Sequence, residues 1–245
     1  MIDRGAERML PVAMLAGGLA KRMRPITEKI PKALLPVAEE PFIFHQLRLL
    51  KKQGITRIVL CVGHLGELIE EQVGDGSKFG LEIAYSFDGP KLLGTAGALK
   101  KALPLLGDVF FVMYGDSYLT CNYSEVYRHY KKCERPALIA IYCNQNLYDI
   151  SNIVFENEEI VSYDKKDFIP QMHYIDYGLS ILCGHLLNNL KLNEFYDLAD
   201  VYMDLVKKKK VAGFVARERF YEIGSPEGLN ELSELCSILP SPLSA

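Results

Sequence analysis

A chain of 245 residues, 49% hydrophobic and 24% charged, is long and apolar enough for one sizeable globular α/β domain. Its formal net charge of -3 excludes the global basic field that is typical of nucleic-acid-binding proteins. No apolar run is long and clean enough to cross a bilayer, and the first residues, MIDRGAERM, lack the apolar core of a signal peptide. We therefore expect a cytoplasmic protein whose partners include neither nucleic acid nor membrane.

The first third of the chain alternates strand and helix patterns. Short apolar runs alternate with stretches whose apolar residues recur at helical spacing and end at Gly54 and Gly74. The predicted elements are strand 10–15, helix 41–54, strand 57–62, helix 65–73 and strand 81–86, followed much later by helix 197–205, strand 211–216 and helix 226–238. The early order predicts an α/β fold with a mainly parallel sheet, helices on both faces, and ligands beyond the carboxyl ends of the strands.

The loop after the first strand is suited to phosphate. Gly17 and Gly18 carry no Cβ atoms, so a ligand can approach the backbone amides there closely. Glycine-rich turns after a strand expose several N–H groups, and nearby cations complete an anion site. The segment 15–37 adds four cations, Lys21, Arg22, Arg24 and Lys32. It contains neither Gly-Lys-Ser/Thr nor GxGxxG, which disfavours a P-loop and a dinucleotide fingerprint.

Two later stretches place carboxylates where ligands are expected. The apolar strand predicted at 109–113 is followed by Tyr114-Gly115-Asp116, which puts Asp116 beyond the carboxyl end of a buried strand. Carboxylate oxygens suit Mg²⁺ when the ion also binds phosphates, although a lone aspartate there is also typical of a helix cap. The stretch 220–227 supplies Glu222, and its Ser225 and Pro226 predict the start of a helix.

The segment 15–37 resembles the signature of the sugar-1-phosphate nucleotidyltransferases, also called NDP-sugar pyrophosphorylases, whose pattern is roughly LAGGxGTRLxPxTxxxPKxLxPV. The positions in register are Leu15, Ala16, Gly17, Gly18, Arg22, Pro25, Thr27, Pro31, Lys32, Leu35, Pro36 and Val37. The resemblance implies a three-layer Rossmann-like, GT-A-like nucleotidyltransferase fold with a mainly parallel mixed central sheet. It also implies a single domain over residues 1–245, with an NTP-binding part at about 10–120 and a sugar-phosphate-binding part at about 121–235.

The resemblance assigns roles to residues of the first part. It implies that the glycine loop wraps the triphosphate, that Arg22 holds the β and γ phosphates, and that Lys32 steadies the α phosphate and the transition state, which makes these two the candidate catalytic residues. The nucleotide-binding residues that it implies are Leu15, Ala16, Gly17, Gly18, Lys21, Gly94 and Thr95. The last two belong to an LGTAGAL segment similar to the one that lines the base and ribose, although small residues there are equally typical of helix packing. The family's Gly-Thr before the arginine is Ala20-Lys21 here, which leaves the shape of the loop open.

Both carboxylates match metal-binding elements of the family. Asp116 lies in a Gly-Asp element and Glu222 in a stretch similar to WxDxGTPE, so the resemblance implies that they bind Mg²⁺, the expected cofactor. Glutamate replaces the usual aspartate, and its extra methylene predicts weaker or water-mediated binding of the ion. A purely structural Glu222 is the alternative.

A hairpin predicted at 152–162 and a strand predicted at 174–182 are expected to bind the sugar and to determine which sugar is accepted. After this hairpin the family has a Glu-Lys-Pro whose lysine binds the sugar phosphate, and here Lys166 matches best while Lys165 is the second candidate. The strand, YIDYGLSIL, resembles the family strand that presents a glycine and a polar side chain to the hexose, which implies Asp176 and Gly178. Solvated surface charge is the alternative for the lysines and for the aspartate.

The expected reaction is NTP + sugar 1-phosphate → NDP-sugar + pyrophosphate. A sugar phosphate oxygen is anionic at neutral pH, so its attack on the α phosphorus depends on positioning and charge neutralisation more than on a general base. The wording of the LGTAGAL and GSPEG segments most resembles heptose or mannose 1-phosphate guanylyltransferases, which favours GTP. The alternatives are N-acetylmuramate or hexose 1-phosphate uridylyl- or thymidylyltransferases, a phosphocholine-type cytidylyltransferase with an aromatic cage of Tyr163, Tyr174 and Tyr177, and a non-catalytic nucleotide-binding regulatory subunit. We expect a monomer or a homodimer.

Overall fold

The secondary structure is taken from a computed structural model that describes residues 8–238. Most of the amino-terminal stretch MIDRGAERM, for which no signal peptide is expected, lies outside the described residues. The strands are β1 Val12–Leu15, β2 Pro36–Val37, β3 Glu40–Pro41, β4 Arg57–Val62, β5 Glu82–Phe87, β6 Val109–Tyr114, β7 Ser117–Leu119, β8 Ala137–Cys143, β9 Ile153–Glu156, β10 Glu159–Tyr163, β11 Tyr174–Cys183, β12 Val211–Val215 and β13 Phe220–Glu222. The helices are α1 Phe42–Lys52, α2 Gly66–Val73, α3 Gly94–Leu106, α4 Tyr123–Lys132, α5 Leu198–Lys207 and α6 Pro226–Ile238. Within residues 8–238, no helix has both the length and the apolar character that crossing a membrane requires.

The central sheet has nine strands and is mainly parallel. Its main path runs β5-β4-β1-β6-β11-β8-β12, and the β9–β10 hairpin joins the amino-terminal end of β11. Strands β1, β4, β5 and β6 are mutually parallel, and β12 is parallel to β8. Strand β11 runs antiparallel to both β6 and β8. The predicted mainly parallel mixed sheet is therefore confirmed.

Alternating strand residues build a core on each face of the sheet. Met14 of β1 packs into a buried cluster with α1, α2 and α4, whereas its neighbour Ala13 packs into a second cluster with α3 and α5. Helix α1 contributes Ile43, Leu47 and Leu50, three positions that helical geometry brings to one face. Burying each of these side chains stabilises the fold by about 1.5–3 kcal/mol. Helices on both faces of the sheet complete the three expected layers.

The order of the strands brings two loops side by side. From β1 the chain moves outward to β4 and β5, and it then returns to β6 on the other side of β1. Leu15, the last residue of β1, is in register with Cys61 of β4 and with Tyr114 of β6. Such a switch point opens a crevice at the carboxyl edge of a parallel sheet. The glycine loop and the Gly115-Asp116 turn both emerge there.

A short two-stranded ribbon brings the carboxyl-terminal part of the chain to the same edge. Strand β13 pairs antiparallel with β7, and Glu222 lies opposite Ser117. Just beyond the ribbon, the Ile223 N–H donates to the Asp116 carbonyl oxygen at 3.0 Å. Helix α6 follows directly and packs against β2 through a small cluster that includes Val37 and Leu232.

Candidate active site

A cavity of about 310 Å³ lies at the carboxyl edge of the sheet, between the ends of β1 and β6 and the start of α3. Its lining includes six of the predicted nucleotide-binding residues, namely Leu15, Ala16, Gly17, Gly18, Gly94 and Thr95. Lys32 and Asp116 line the same cavity. The structure therefore brings the glycine loop, a lysine and a carboxylate around one space large enough for part of a nucleotide.

The cavity floor depends on backbones that approach very closely. The Gly115 N–H donates to the Leu15 carbonyl oxygen at 2.9 Å, and a Cβ at Gly115 would lie 2.7 Å from that oxygen. A Cβ at Gly17 would lie 3.0 Å from the backbone nitrogen of Gly63. At Gly18, by contrast, no atom lies within 4 Å of the Cβ position. Gly115 and Gly17 therefore serve packing as well as the ligand, whereas the space at Gly18 is open.

This difference predicts that alanine destabilises the protein at Gly115 but not at Gly18. Gly115→Ala is expected to lower the free energy of unfolding by about 2 kcal/mol, because the new methyl group forces β1 and β6 apart at the switch point. Gly18→Ala, the matched control, is expected to change it by less than about 0.5 kcal/mol. Urea denaturation measures both variants. Equal stabilities would contradict the close packing of Gly115.

Lys32 and Asp116 form an ion pair at the edge of the cavity. Lys32 begins a short 3-10 turn, Lys32–Leu34, and its Nζ lies 2.8 Å from the Asp116 Oδ2. The lysine side chain is 15% exposed and the aspartate side chain 35% exposed. Because each charge faces the other, an incoming phosphate or metal ion replaces an existing partner instead of meeting a bare charge. The two predicted groups are thus adjacent and both accessible to a ligand.

Arg22 of the glycine loop lies near this pair. Arg22 is exposed, and its Nη2 approaches to 3.2 Å the point where a Cβ of Gly224 would lie, while the Lys32 Nζ approaches the same point to 3.3 Å. Lys21 begins the 3-10 turn Lys21–Met23, and its side chain is not described. Ala20, where the family has glycine, adopts a φ of +46°, in the left-handed region that disfavours residues with a Cβ. The loop therefore keeps a glycine-like backbone at that position without the glycine.

Glu222 does not line the cavity, but its Oε2 lies at the same Gly224 point that the Arg22 Nη2 and the Lys32 Nζ approach. Its carboxylate accepts hydrogen bonds from the Gly224 N–H and, at 2.7 Å, from the Ser225 hydroxyl. The Ser225 Oγ in turn accepts from the Gly228 N–H at 3.0 Å, which confirms Ser225 as the cap of α6. The Glu222 side chain lines a separate surface groove with Ser225 and Glu227. The Glu222 carboxylate is thus held by the start of α6, on the side of Lys32 that faces Gly224, while Asp116 pairs with the same lysine.

The candidate sugar-binding residues separate into two environments. Lys165 turns inward to Asp176 and Tyr114, whereas Lys166, the first choice from the sequence, pairs with Asp200 on the surface. Gly178 has a φ of +93°, and its Cβ position lies 3.3 Å from the Ser117 Oγ, next to the Asp116 turn. The structure therefore places Lys165 and Gly178 against Tyr114, which lines the cavity, and Lys166 on the exposed surface.

Thr95 has a structural partner in addition to its place in the cavity. Its hydroxyl donates to the Asp197 Oδ1 at 3.1 Å and accepts from the Leu198 N–H at 2.7 Å, which ties the start of α3 to the start of α5. A Cβ at Gly94 would lie 2.5 Å from the Tyr196 carbonyl oxygen. The packing of small residues considered from the sequence is therefore present alongside the cavity lining.

The cavity lining also includes Tyr114, Asp88 and Phe195, which were not predicted from the sequence. Tyr114 ends β6, and Asp88 follows β5, so the rule that selected Asp116 at a strand end would have found both. Asp88 is 6% exposed and accepts the Leu93 N–H at 3.1 Å, and burial raises the pKa of its carboxyl. Phe195 is 68% exposed and lies against Gly94, within a segment that has no local signal of a binding role.

A model of the family described as nucleotidyl transferase matches residues 12–234. The chain belongs to this family. The family assignment made from the segment 15–37 is confirmed, because the match extends from β1 into α6.

Individual relatives differ in how much of their length this nucleotidyl transferase chain spans. It is 31% identical over 210 residues to a UTP–glucose-1-phosphate uridylyltransferase from Synechocystis sp., covering 79% of this chain and 54% of that protein. It is 29% identical over 216 residues to a D-glycero-α-D-manno-heptose 1-phosphate guanylyltransferase from Campylobacter jejuni, covering 87% and 94%. The chain thus spans about half of the first relative and nearly all of the second.

A solved structure shows the same fold. The structure of HddC from Yersinia pseudotuberculosis complexed with GMP-PN superimposes with a TM-score of 0.78 at 22% sequence identity, covering 93% of this chain and 100% of that one. At this identity the likeness concerns the arrangement of the sheet and helices. It agrees with the three-layer architecture described above.

Proposed function

We propose that the protein transfers a nucleoside monophosphate from an NTP to a sugar 1-phosphate and releases pyrophosphate. The observation that carries this proposal is the Lys32–Asp116 pair, 2.8 Å apart, in the same cavity as the glycine loop. Backbone amides, a cation and a carboxylate around one space suit a polyphosphate and its counterion. Membership of the nucleotidyl transferase family supports the same reaction class.

In this proposal the chain binds and neutralises the triphosphate without a general base. The amides of Gly17 and Gly18 face the phosphates, and Lys32 holds the α phosphate, where negative charge accumulates during in-line attack. Arg22, beside Lys32 at Gly224, takes the β and γ phosphates that leave as pyrophosphate. The sugar phosphate oxygen already carries a negative charge, so positioning it is the main task of the remaining residues.

The donor set fits a hard divalent cation, which we propose to be Mg²⁺. Mg²⁺ is commonly held by one or two carboxylates together with substrate phosphates, so it does not need a cage of protein ligands. Among residues 8–238, no group of three or more His, Cys, Asp or Glu residues lies together as a metal cage. Asp116 would hold the ion, and Glu222, whose oxygens accept from Gly224 and Ser225, is the candidate for the second carboxylate. Bound there, the ion would neutralise phosphate charge.

We propose GTP and a heptose or mannose 1-phosphate as the substrates. The support is the heptose 1-phosphate guanylyltransferase relative, nearly all of whose length this chain spans. Uridylyl and thymidylyl transfer remain the competing specificities, because relatives with those names match as well. A phosphocholine cage has less support, because Tyr163 and Tyr177 are 2% and 1% exposed and pack into the interior.

The test is pyrophosphate release with Mg²⁺ across five NTPs and a panel of glucose, mannose, heptose and N-acetylmuramate 1-phosphates plus phosphocholine. The expected result is strong release with GTP and one of the heptose or mannose phosphates. Release only with CTP and phosphocholine would contradict sugar specificity. Nucleotide binding by calorimetry without release from any pair would instead support a regulatory, non-catalytic protein.

A further inference from the structure

Two consecutive lysines after the β9–β10 hairpin face different surroundings. The Lys166 Nζ lies 2.9 Å from the Asp200 Oδ1, and these side chains are 68% and 54% exposed, so this pair sits in solvent. The Lys165 Nζ lies 3.0 Å from the Asp176 Oδ2, and the Asp176 side chain is only 3% exposed. The same ammonium lies 3.3 Å from the hydroxyl of Tyr114, a residue that lines the cavity. Lys165 is therefore held beside Tyr114, a cavity-lining residue, by a buried partner.

The Asp176 carboxylate is already occupied by the protein. Its Oδ1 accepts the Gly178 N–H at 3.0 Å. Its Oδ2 accepts the Tyr163 hydroxyl at 2.9 Å as well as the Lys165 ammonium. Because the side chain is only 3% exposed and both oxygens are engaged, little of the carboxylate is accessible to a sugar hydroxyl. A direct sugar contact by Asp176, which the sequence suggested, is therefore not the role that this geometry favours.

The backbone around Asp176 fixes the direction of its side chain. The pairing of β11 with β8 shifts register between Asp176 and Ser180, and Gly178 within this irregularity has a positive φ. Such a bulge re-aims the side chains beside it. The Asp176 N–H donates to the Asn152 Oδ1 at 3.0 Å, and the Tyr163 ring packs edge-on against Tyr202 behind the carboxylate. The Asp176 side chain is thus fixed by contacts with several neighbouring residues.

Lys165 stays protonated, and one of its ammonium N–H groups has no partner assigned in this network. Burial acts to lower the pKa of Lys165, but Asp176 and the Tyr114 hydroxyl raise it by more, so the amine stays protonated. Burial also raises the pKa of Tyr114 to about 12, which keeps its hydroxyl neutral. A lysine ammonium has three N–H donors. Two are directed at Asp176 and Tyr114, so the third is left for a ligand.

We propose that Asp176 is a positioning residue, which holds the Lys165 ammonium against Tyr114 so that the lysine binds the phosphate of the sugar 1-phosphate. This inference rests on the proposed function. It reverses the order of the two lysine candidates and gives the buried carboxylate an indirect role. Lys165 contacts the hydroxyl of Tyr114, and Tyr114 immediately precedes the Gly115-Asp116 turn that lines the cavity.

The test is a double-mutant cycle of Asp176→Asn and Lys165→Met, assayed with the NTP and sugar 1-phosphate pair that gives the strongest pyrophosphate release. Each single variant is expected to raise KM for the sugar 1-phosphate by about tenfold or more and to leave KM for the NTP within about twofold. If Asp176 acts through Lys165, the double variant is no worse than Lys165→Met alone. Full additivity of the two effects, or an unchanged KM in Asp176→Asn, overturns the proposal.

The surface pair provides the matched control. Asp200→Asn removes the partner of Lys166 in the same way, and all kinetic constants are expected to stay within about twofold of the wild type. A loss of sugar 1-phosphate binding equal to that of Asp176→Asn would mean that Lys166 is the phosphate ligand, which overturns the assignment. The double variant also guards against misfolding, because it removes both members of a buried pair instead of stranding one charge.

A second measurement is independent of turnover. Brief acetic anhydride labelling, read out residue by residue by mass spectrometry, is expected to modify Lys165 more slowly than Lys166 in the wild type. In Asp176→Asn the labelling of Lys165 should rise about fivefold or more, since its pKa falls, while that of Lys166 stays constant. Unchanged Lys165 labelling overturns the anchoring. Increased labelling in a protein that turns over no substrate pair supports the anchoring and rejects the proposed function.

Discussion

Replacement of Lys32 by alanine is expected to lower kcat/KM for nucleotidyl transfer by about a thousandfold while the protein remains folded. The Lys32 side chain is 15% exposed and lines the cavity beside the glycine loop, so its charge acts where little water can replace it. In the proposed reaction this charge stabilises the α phosphate as the bond to pyrophosphate breaks. Pyrophosphate release at low substrate concentration measures the loss, and urea denaturation confirms folding.

Lys29→Ala is the matched control for this variant. Lys29 lies in the same loop, just before the short turn that contains Lys32, and it is exposed. Its removal changes the net charge of the loop equally, so its kcat/KM is expected to stay within about threefold of the wild type. Similar losses in the two variants would show that general loop charge matters instead of the specific position of Lys32.

Replacement of Asp116 by asparagine is expected to lower turnover by about a thousandfold and to raise the Mg²⁺ concentration needed for half-maximal activity. The amide keeps the size of the side chain but removes the negative charge that would hold the ion. The pair with Lys32 is partly solvated, at 35% exposure for the aspartate, so the free energy of unfolding should change by about 1 kcal/mol or less. Mg²⁺ titrations of pyrophosphate release separate the metal effect from a loss of nucleotide binding.

Asp108→Asn controls for the loss of an aspartate near the same strand. Asp108 is exposed and precedes β6 at the opposite end from Asp116, far from the carboxyl edge of the sheet. It should leave both turnover and the Mg²⁺ dependence unchanged. A normal Mg²⁺ dependence in Asp116→Asn would remove this residue from the metal site.

Local patterns in the sequence predicted most elements of the nucleotide-binding part and some of the elements that follow it. Strand 57–62 and helix 226–238 were predicted with the bounds that the structure shows, because an unbroken apolar run and a Ser-Pro start define them clearly. Helix α4 was not predicted, since within it only Tyr123 and Val126 are buried and the apolar stripe is narrow. Strand β8 was also missed, although its seven residues form an apolar run. Its position beside β11 depends on long-range pairing that no local pattern reveals.

The parts of the candidate site that depend on the position of a loop in the sheet were predictable from the sequence. The parts that depend on the direction of a side chain were not. A glycine loop after β1 and an aspartate after β6 follow from the rule that ligands bind beyond the carboxyl ends of parallel strands. The choice between Lys165 and Lys166 does not follow from this rule, because adjacent residues point in different directions. The partner that distinguishes them, Asp176, belongs to another strand. The direction of Glu222 depends likewise on the cap of α6.

The most direct test of the central claim is to follow the products of the strongest substrate pair by phosphorus NMR with wild-type protein and Mg²⁺. The proposal predicts that the monoester signal of the sugar 1-phosphate disappears while a diester-type diphosphate signal and free pyrophosphate appear in equal amounts. Inorganic phosphate and a nucleoside diphosphate as the products, with the sugar 1-phosphate left intact, would contradict nucleotidyl transfer.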